Sequence, residues 1–105
     1  MSDFCVILCT CANSKEAAKI AERLVTGRLA ACVNIVGGVK SVYWWQGQVE
    51  RSAEALLIIK SKQNLFDETS RMIRRHHTAT CPEIIQIPIE NGFEDYLDWV
   101  QRQTR

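Results

Sequence analysis

The stretch ACVNIVGGVKSVYWWQGQVERSAEALLIIKS, residues 31–61, decides the fold. Its two halves have the apolar and β-branched character of strands, and Gln46-Gly47 between them favours a tight turn. The stretch therefore predicts a β-hairpin running from Ala31 to Ser61. Gly37-Gly38 interrupts the first arm and predicts a bend or bulge there.

The hairpin is long for a chain of 105 residues. Each arm of about 14 residues spans roughly 46 Å, whereas a typical strand has about 5–6 residues and a compact body of this size measures about 34 Å across. The tip carries Tyr43, Trp44 and Trp45, and an exposed aromatic patch usually marks an interface. The pattern predicts an oligomer, the alternative being a coiled hairpin that folds its aromatic side chains onto its own sheet.

The segments on either side predict an α+β domain spanning residues 1–105. Phe4 to Thr10 is typical of a strand buried on both faces, and an amphipathic helix capped by Ser14 and ended by Gly27 follows it. With the hairpin, these elements imply a right-handed parallel crossover between the first two strands. The remaining predicted elements are a helix capped by Asn64 and ending near His76-His77, a strand Ile84–Ile89 placed at a sheet edge by Pro88, and a short final helix carrying Phe93, Tyr96, Leu97 and Val100.

Composition excludes several classes of function. The net charge is +1, from 13 basic and 12 acidic residues, which argues against a nucleic-acid binder. No leader or membrane-spanning segment is evident, so the predicted compartment is the cytoplasm, where the five cysteines should be thiols. No C-x-x-C motif occurs, which disfavours zinc-ribbon and thioredoxin-like proteins.

One candidate site is a metal centre. Cys9 shares one face of the first strand with Cys5, Ile7 and Cys11, and His76-His77 follows the second helix. Thiolate and imidazole suit soft or borderline ions such as copper or zinc, although a free cysteine is more often a small buried hydrophobe.

Two other classes remain open at this stage. A thiol-dependent enzyme would need an activated, exposed cysteine, and the sequence contains no local signature of one, so no enzyme is predicted. A small-molecule site is the other candidate, because Trp45, Lys60, Glu83 and the His76-His77 turn could converge at a cleft between subunits. A pocket with one cation, one carboxylate and aromatic walls could hold a small anion or metabolite. The alternative for Lys60 and Glu83 is a partly exposed ion pair.

Several segments, in order, closely resemble the CutA divalent-cation tolerance family over essentially the whole chain. They are Leu8-Cys9-Thr10, Arg28-Leu29-Ala30-Ala31-Cys32-Val33-Asn34, Ser41-Val42-Tyr43-Trp44-Trp45-Gln46-Gly47, Cys81-Pro82-Glu83-Ile84 and Asp95-Tyr96-Leu97-Asp98-Trp99. The family usually has His-Pro-Tyr before Pro-Glu, whereas Ala79 stands at the tyrosine position here and Cys81 adds a thiol to the cleft.

The resemblance implies a ferredoxin-like βαββαβ sandwich with a short C-terminal helix, assembled as a homotrimer whose hairpins pair between subunits. It also implies binding of copper or other divalent cations, with a role in metal tolerance. The residues assigned to copper in the family correspond to Cys9, His76 and His77 here. The second hypothesis is a trimeric regulatory or scaffold module that binds a metabolite or protein at clefts formed by Trp45, Lys60, Cys81 and Glu83.

Overall fold

The computed structural model describes residues 3–105 and has the predicted βαββαβ order, followed by a third helix. One 3₁₀ turn, Gln63–Leu65, precedes the second helix. The elements are β1 (Phe4–Cys11), α1 (Ser14–Thr26), β2 (Cys32–Trp45), β3 (Gln48–Lys62), α2 (Phe66–His76), β4 (Ile85–Pro88) and α3 (Glu94–Gln103).

The four strands form one antiparallel sheet in the order β2-β3-β1-β4. Because β1 and β2 both pair antiparallel with β3, they run parallel to each other, with β3 lying between them. Pro88 of β4 pairs with Cys5 of β1. β4 is an edge strand, as its proline predicted. β2 is the other edge strand.

The starts of the two longer helices differ from the prediction. Asn13, not Ser14, caps α1, since its Oδ1 accepts the Glu16 N–H at 2.8 Å. Asn64 does not cap α2 because it lies inside the 3₁₀ turn, and the capping position is Leu65, whose side chain makes no capping bond. Gly27 ends α1 and His76 ends α2, as expected.

The core lies between α1, α2 and one face of the sheet. Cys5, Ile7, Cys9 and Cys11 are all fully buried on that face, which confirms the period-two pattern of β1. The alternate residues of β1 are only half-buried, so the expected burial of this strand on both faces is not met within one chain. We call the second, partly exposed side of the sheet the open face.

The described chain with its hairpin is elongated, with principal-axis extents of 44 × 25 × 23 Å. The hairpin turn has positive φ at both Gln46 and Gly47, the geometry that matches the twist of two paired strands. The predicted interruption is a bulge between Val36 and Val39, and Gly38 there has φ +72°. Trp44 is 74% exposed, so this side chain of the tip does not fold back onto its own sheet, whereas Tyr43 and Trp45 are 42% and 43% exposed.

None of the helices formed by residues 3–105 is long and apolar enough to cross a membrane. All five cysteines are free thiols, three of them buried, one half-buried and Cys81 exposed.

Candidate functional site

Two thiols and one imidazole meet at the end of β1. The Sγ atoms of Cys9 and Cys11 and a ring nitrogen of His77 all lie within 4.8 Å of one another. Strand periodicity puts both cysteines on the buried face, and His77 is the first residue after α2. The side chain of His77 is only 3% exposed, so the group is enclosed.

The ring of His77 is held by the backbone on both sides. Its Nδ1 accepts the Ala79 N–H at 3.0 Å, so that nitrogen carries no hydrogen. The hydrogen of the neutral ring is then on Nε2, which donates to the Thr10 carbonyl at 2.7 Å. These two bonds fix the tautomer and attach the segment after α2 to the end of β1.

Glu16 organises the same region from α1. Its carboxylate accepts the N–H groups of Ala12 and Thr78, each at 2.8 Å, and lies 3.8 Å from Nε2 of His77. Burial alone raises the pKa of this carboxyl, but the hydrogen bonds from Ala12 and Thr78 outweigh it and the net pKa is lowered. The sequence interpretation missed Glu16, although Asn13-x-x-Glu16 has the spacing of a capping box.

The two thiols of the cluster differ in acidity. The hydrogen bond from Cys9 to Cys11 raises the pKa of the Cys9 thiol, and burial and the charges of Cys11, Glu83 and Glu16 raise it further. Accepting that bond lowers the pKa of Cys11, although burial opposes the change. Cys11 is therefore the thiol that ionises first and the stronger potential ligand of the two.

The chemistry of these donors, two thiols and one imidazole, suits a soft or borderline metal ion. In tetrahedral coordination at metal–sulfur and metal–nitrogen distances of about 2.3 and 2.0 Å, donor atoms lie about 3.5–3.8 Å apart. The group would need to contract by at most about 1.3 Å to reach that geometry. His77 would also have to release one of its two backbone hydrogen bonds.

Of the predicted ligands Cys9, His76 and His77, the structure groups the first and the last and adds Cys11. His76 lies outside the cluster, and desolvation, followed by the charges of Arg23, Lys19 and Arg75, lowers its pKa. The period-two pattern of β1 had already placed Cys11 beside Cys9, so the signal for this ligand was present in the sequence.

A cavity of about 610 Å³ opens beside the cluster, between the hairpin and the segment 78–83. We call it the hairpin cavity. The predicted cleft residues Trp45, Cys81 and Glu83 line it, and His77 joins them. Lys60 does not, because it lies farther along the open face, opposite Val6 and Cys32. The other lining residues are Thr10, Ser41, Val42, Tyr43, Glu54, Thr78, Ala79, Thr80 and Pro82.

Comparison with known proteins gives similarity over nearly the whole chain. The profile of a family described as CutA1 divalent ion tolerance protein matches residues 5–103. The divalent-cation tolerance protein CutA of Thermus thermophilus is 42% identical over 94% of this chain and 96% of its own length. Protein CutA 1, chloroplastic, of rice is 41% identical over 95% of this chain, which spans 56% of that protein.

Solved structures agree in fold. The divalent cation tolerance protein (Cut A1) from Thermus thermophilus superposes with a TM-score of 0.95 at 41% identity, covering 97% of this chain and 99% of the other. CutA1 from Oryza sativa gives a TM-score of 0.95 at 40% identity, covering 97% and 94% respectively.

Proposed function

The chain belongs to the CutA1 divalent ion tolerance family, and from that premise we propose that it is a cytoplasmic homotrimer that binds copper, or zinc or another divalent cation, in metal tolerance. The observation that carries the proposal is the grouping of Cys9, Cys11 and His77 within 4.8 Å. Neither this proposal nor the second one below assigns a chemical reaction to the chain.

Sulfur and imidazole donors select the ion class. Two thiols with one imidazole favour copper or zinc over magnesium or calcium, which prefer oxygen ligands. Binding displaces protons, and Cys11 is the first to lose one because its pKa is already lowered. The proposed ligands are therefore Cys9, Cys11 and His77, with Cys11 in place of the His76 that the family resemblance implied.

Isothermal titration with Cu(II), Zn(II) and, without oxygen, Cu(I) tests these ligands. Cys11→Ser and His77→Ala should each weaken binding by at least about tenfold, whereas the matched change His76→Ala should leave the affinity unchanged. Circular dichroism checks that each variant is folded, and Cys9→Ser supplies a conservative second variant. Equal affinity in all four variants and the wild type would remove the cluster from the account.

Assembly through the hairpin has its own support. β2 is an edge strand of 14 residues, and such a strand presents unpaired backbone groups to a second chain. The open face also leaves Ile85 and Ile87 each 48% exposed. Both features favour inter-subunit strand pairing in a closed symmetric assembly.

Sedimentation at micromolar concentration should give three times the chain mass of 12.0 kDa. Trp44→Glu should weaken the assembly, whereas Phe93→Glu, which changes an equally exposed residue outside the hairpin, should not. A monomer at that concentration contradicts the proposal.

The second candidate is a trimeric regulatory or scaffold module that binds a metabolite or partner in its clefts. The hairpin cavity favours it, because about 610 Å³ falls within the range of small-molecule sites. Thermal shift against metal and metabolite panels separates the two candidates. Stabilisation by an organic compound and by no metal ion supports the second.

A further inference from the structure

We propose that the hairpin cavity binds an organic cation of the amidinium, guanidinium or ammonium class. This inference rests on the second candidate function and specifies its ligand. It arises from the position of Lys60, which the sequence had assigned to the cleft as the partner for a small anion. With Lys60 outside the cavity, the described residues of its wall include carboxylates but no lysine or arginine.

The formal charges that line the cavity are two carboxylates. Glu54 comes from β3 in the hairpin, and Glu83 comes from the segment before β4. No lysine or arginine contributes to the wall as formed by the described residues, and both ring nitrogens of His77 are already hydrogen-bonded to backbone groups. An anion entering this space would face two like charges and no fixed counter-charge.

A further carboxylate lies beneath the cavity. The Glu16 carboxylate accepts the backbone N–H of Thr78, a lining residue, at 2.8 Å. The field in the cavity is therefore negative.

The hairpin adds aromatic rings to that field. Tyr43 and Trp45 lie two residues apart on β2, so they share one side of the arm, and they are 42% and 43% exposed. The Ser52 hydroxyl donates to the Tyr43 hydroxyl at 3.4 Å and helps to orient that ring. Aromatic faces attract cations, and Trp is the strongest of them, so these rings favour a flat organic cation over a hydrated metal ion.

The test uses three probes of nearly identical shape and different charge. Benzamidine is a cation, benzamide is neutral and benzoate is an anion. Each is titrated, with EDTA present to remove metal ions, into the ¹⁵N-labelled full chain in its native assembly, and the Trp45 indole and the backbone amides of residues 78–83 are followed by NMR. Benzamidine should bind at least about tenfold more tightly than benzamide, and benzoate should bind most weakly.

Three variants locate the charge. Glu54→Gln and Glu83→Gln should each weaken benzamidine binding by roughly fivefold, the range expected for a partly exposed ion pair. Glu22→Gln removes an exposed carboxylate from α1, outside the cavity wall, and should leave binding unchanged. Benzamidine bound with wild-type affinity by both cavity variants overturns the inference.

The three probes also distinguish a failure of this inference from a failure of the second candidate function. If benzamide or benzoate binds in the cavity as tightly as benzamidine, the cavity is a ligand site but not one selective for cations, so only the inference falls. If no probe shifts the Trp45 and 78–83 signals, the inference is wrong, and if the metabolite panel also gives no thermal shift, the second candidate function loses its small-molecule ligand.

Discussion

Glu16→Gln should destabilise the protein by about 2 kcal/mol at neutral pH. The Glu16 side chain is 7% exposed, and its two oxygens accept backbone N–H groups from Ala12 and Thr78. Glutamine has one acceptor oxygen, so its NH₂ group must face one of these two donors. Losing a charge-assisted hydrogen bond costs about 1.5–3 kcal/mol, and the smaller desolvation cost of a neutral amide offsets part of that loss.

Guanidinium unfolding at a fixed protein concentration measures the change, because the stability of an assembly depends on concentration. Glu22→Gln is the control, since this exposed residue of α1 should alter the unfolding free energy by no more than about 0.5 kcal/mol. The same comparison across pH gives a second readout, because only the wild type has a carboxyl group at position 16.

The pH dependence has a definite sign. The folded state lowers the pKa of Glu16 from its ordinary value of 4.5, so the stabilisation is fully present above that value and is lost as pH falls through the lower, folded pKa. The gap between wild type and Glu16→Gln should therefore shrink in acid. A gap no larger than the control's at pH 7, or one that stays constant down to acid unfolding, refutes this account of Glu16.

Three further predictions concern the backbone, the core and the thiols. Gly38→Ala should lower stability by about 1 kcal/mol, because Gly38 has φ +72°, which a residue with a Cβ adopts only with strain. Gly37→Ala is the control and should be tolerated, because Gly37 has no positive φ and the nearest contact of an added Cβ is at 4.0 Å. Equal losses of stability in chemical unfolding would contradict this. Thr69→Val should be neutral or raise stability by about 1 kcal/mol, since the fully buried Oγ1 has no hydrogen-bond partner within residues 3–105; a clear loss in the same assay would reveal a bond made by that hydroxyl. Iodoacetamide should modify Cys81 in the native protein but not the three buried cysteines of β1, and peptide mass spectrometry showing their early labelling would indicate that β1 opens readily.

The predictions that depended on local pattern were confirmed. The turn at Gln46-Gly47, the interruption at Gly37-Gly38 and the shared face of Cys9 and Cys11 each follow from a few neighbouring residues, because turn chemistry and strand alternation are local. Helix starts were less predictable. Asn64 has capping chemistry, but the chain enters α2 through a 3₁₀ turn and leaves this side chain before the helix begins.

The composition of the site depended on long-range geometry. Which of His76 and His77 faces the thiols depends on how α2 rotates to bury Ile73 and where its last turn ends, and periodicity alone could not choose between them. The position of Lys60 relative to the hairpin cavity of one chain depends on strand pairing in the same way. The pairing of β3 with β1 and β2 puts Lys60 opposite Val6 and Cys32, away from the end of the sheet where the cavity forms.

The bulge in β2 affects the direction of the hairpin arm but not which residues of β2 and β3 pair with each other. Val36 faces Leu56 and Val39 faces Glu54, so β2 contains one residue more than β3 across this step. A deletion of one glycine would leave both pairs, and every pair beyond them, with the same partners, while removing the local kink. A single codon lost there would therefore change the direction of the whole arm beyond the bulge, and with it the geometry of the assembly proposed above, without replacing any residue of that arm.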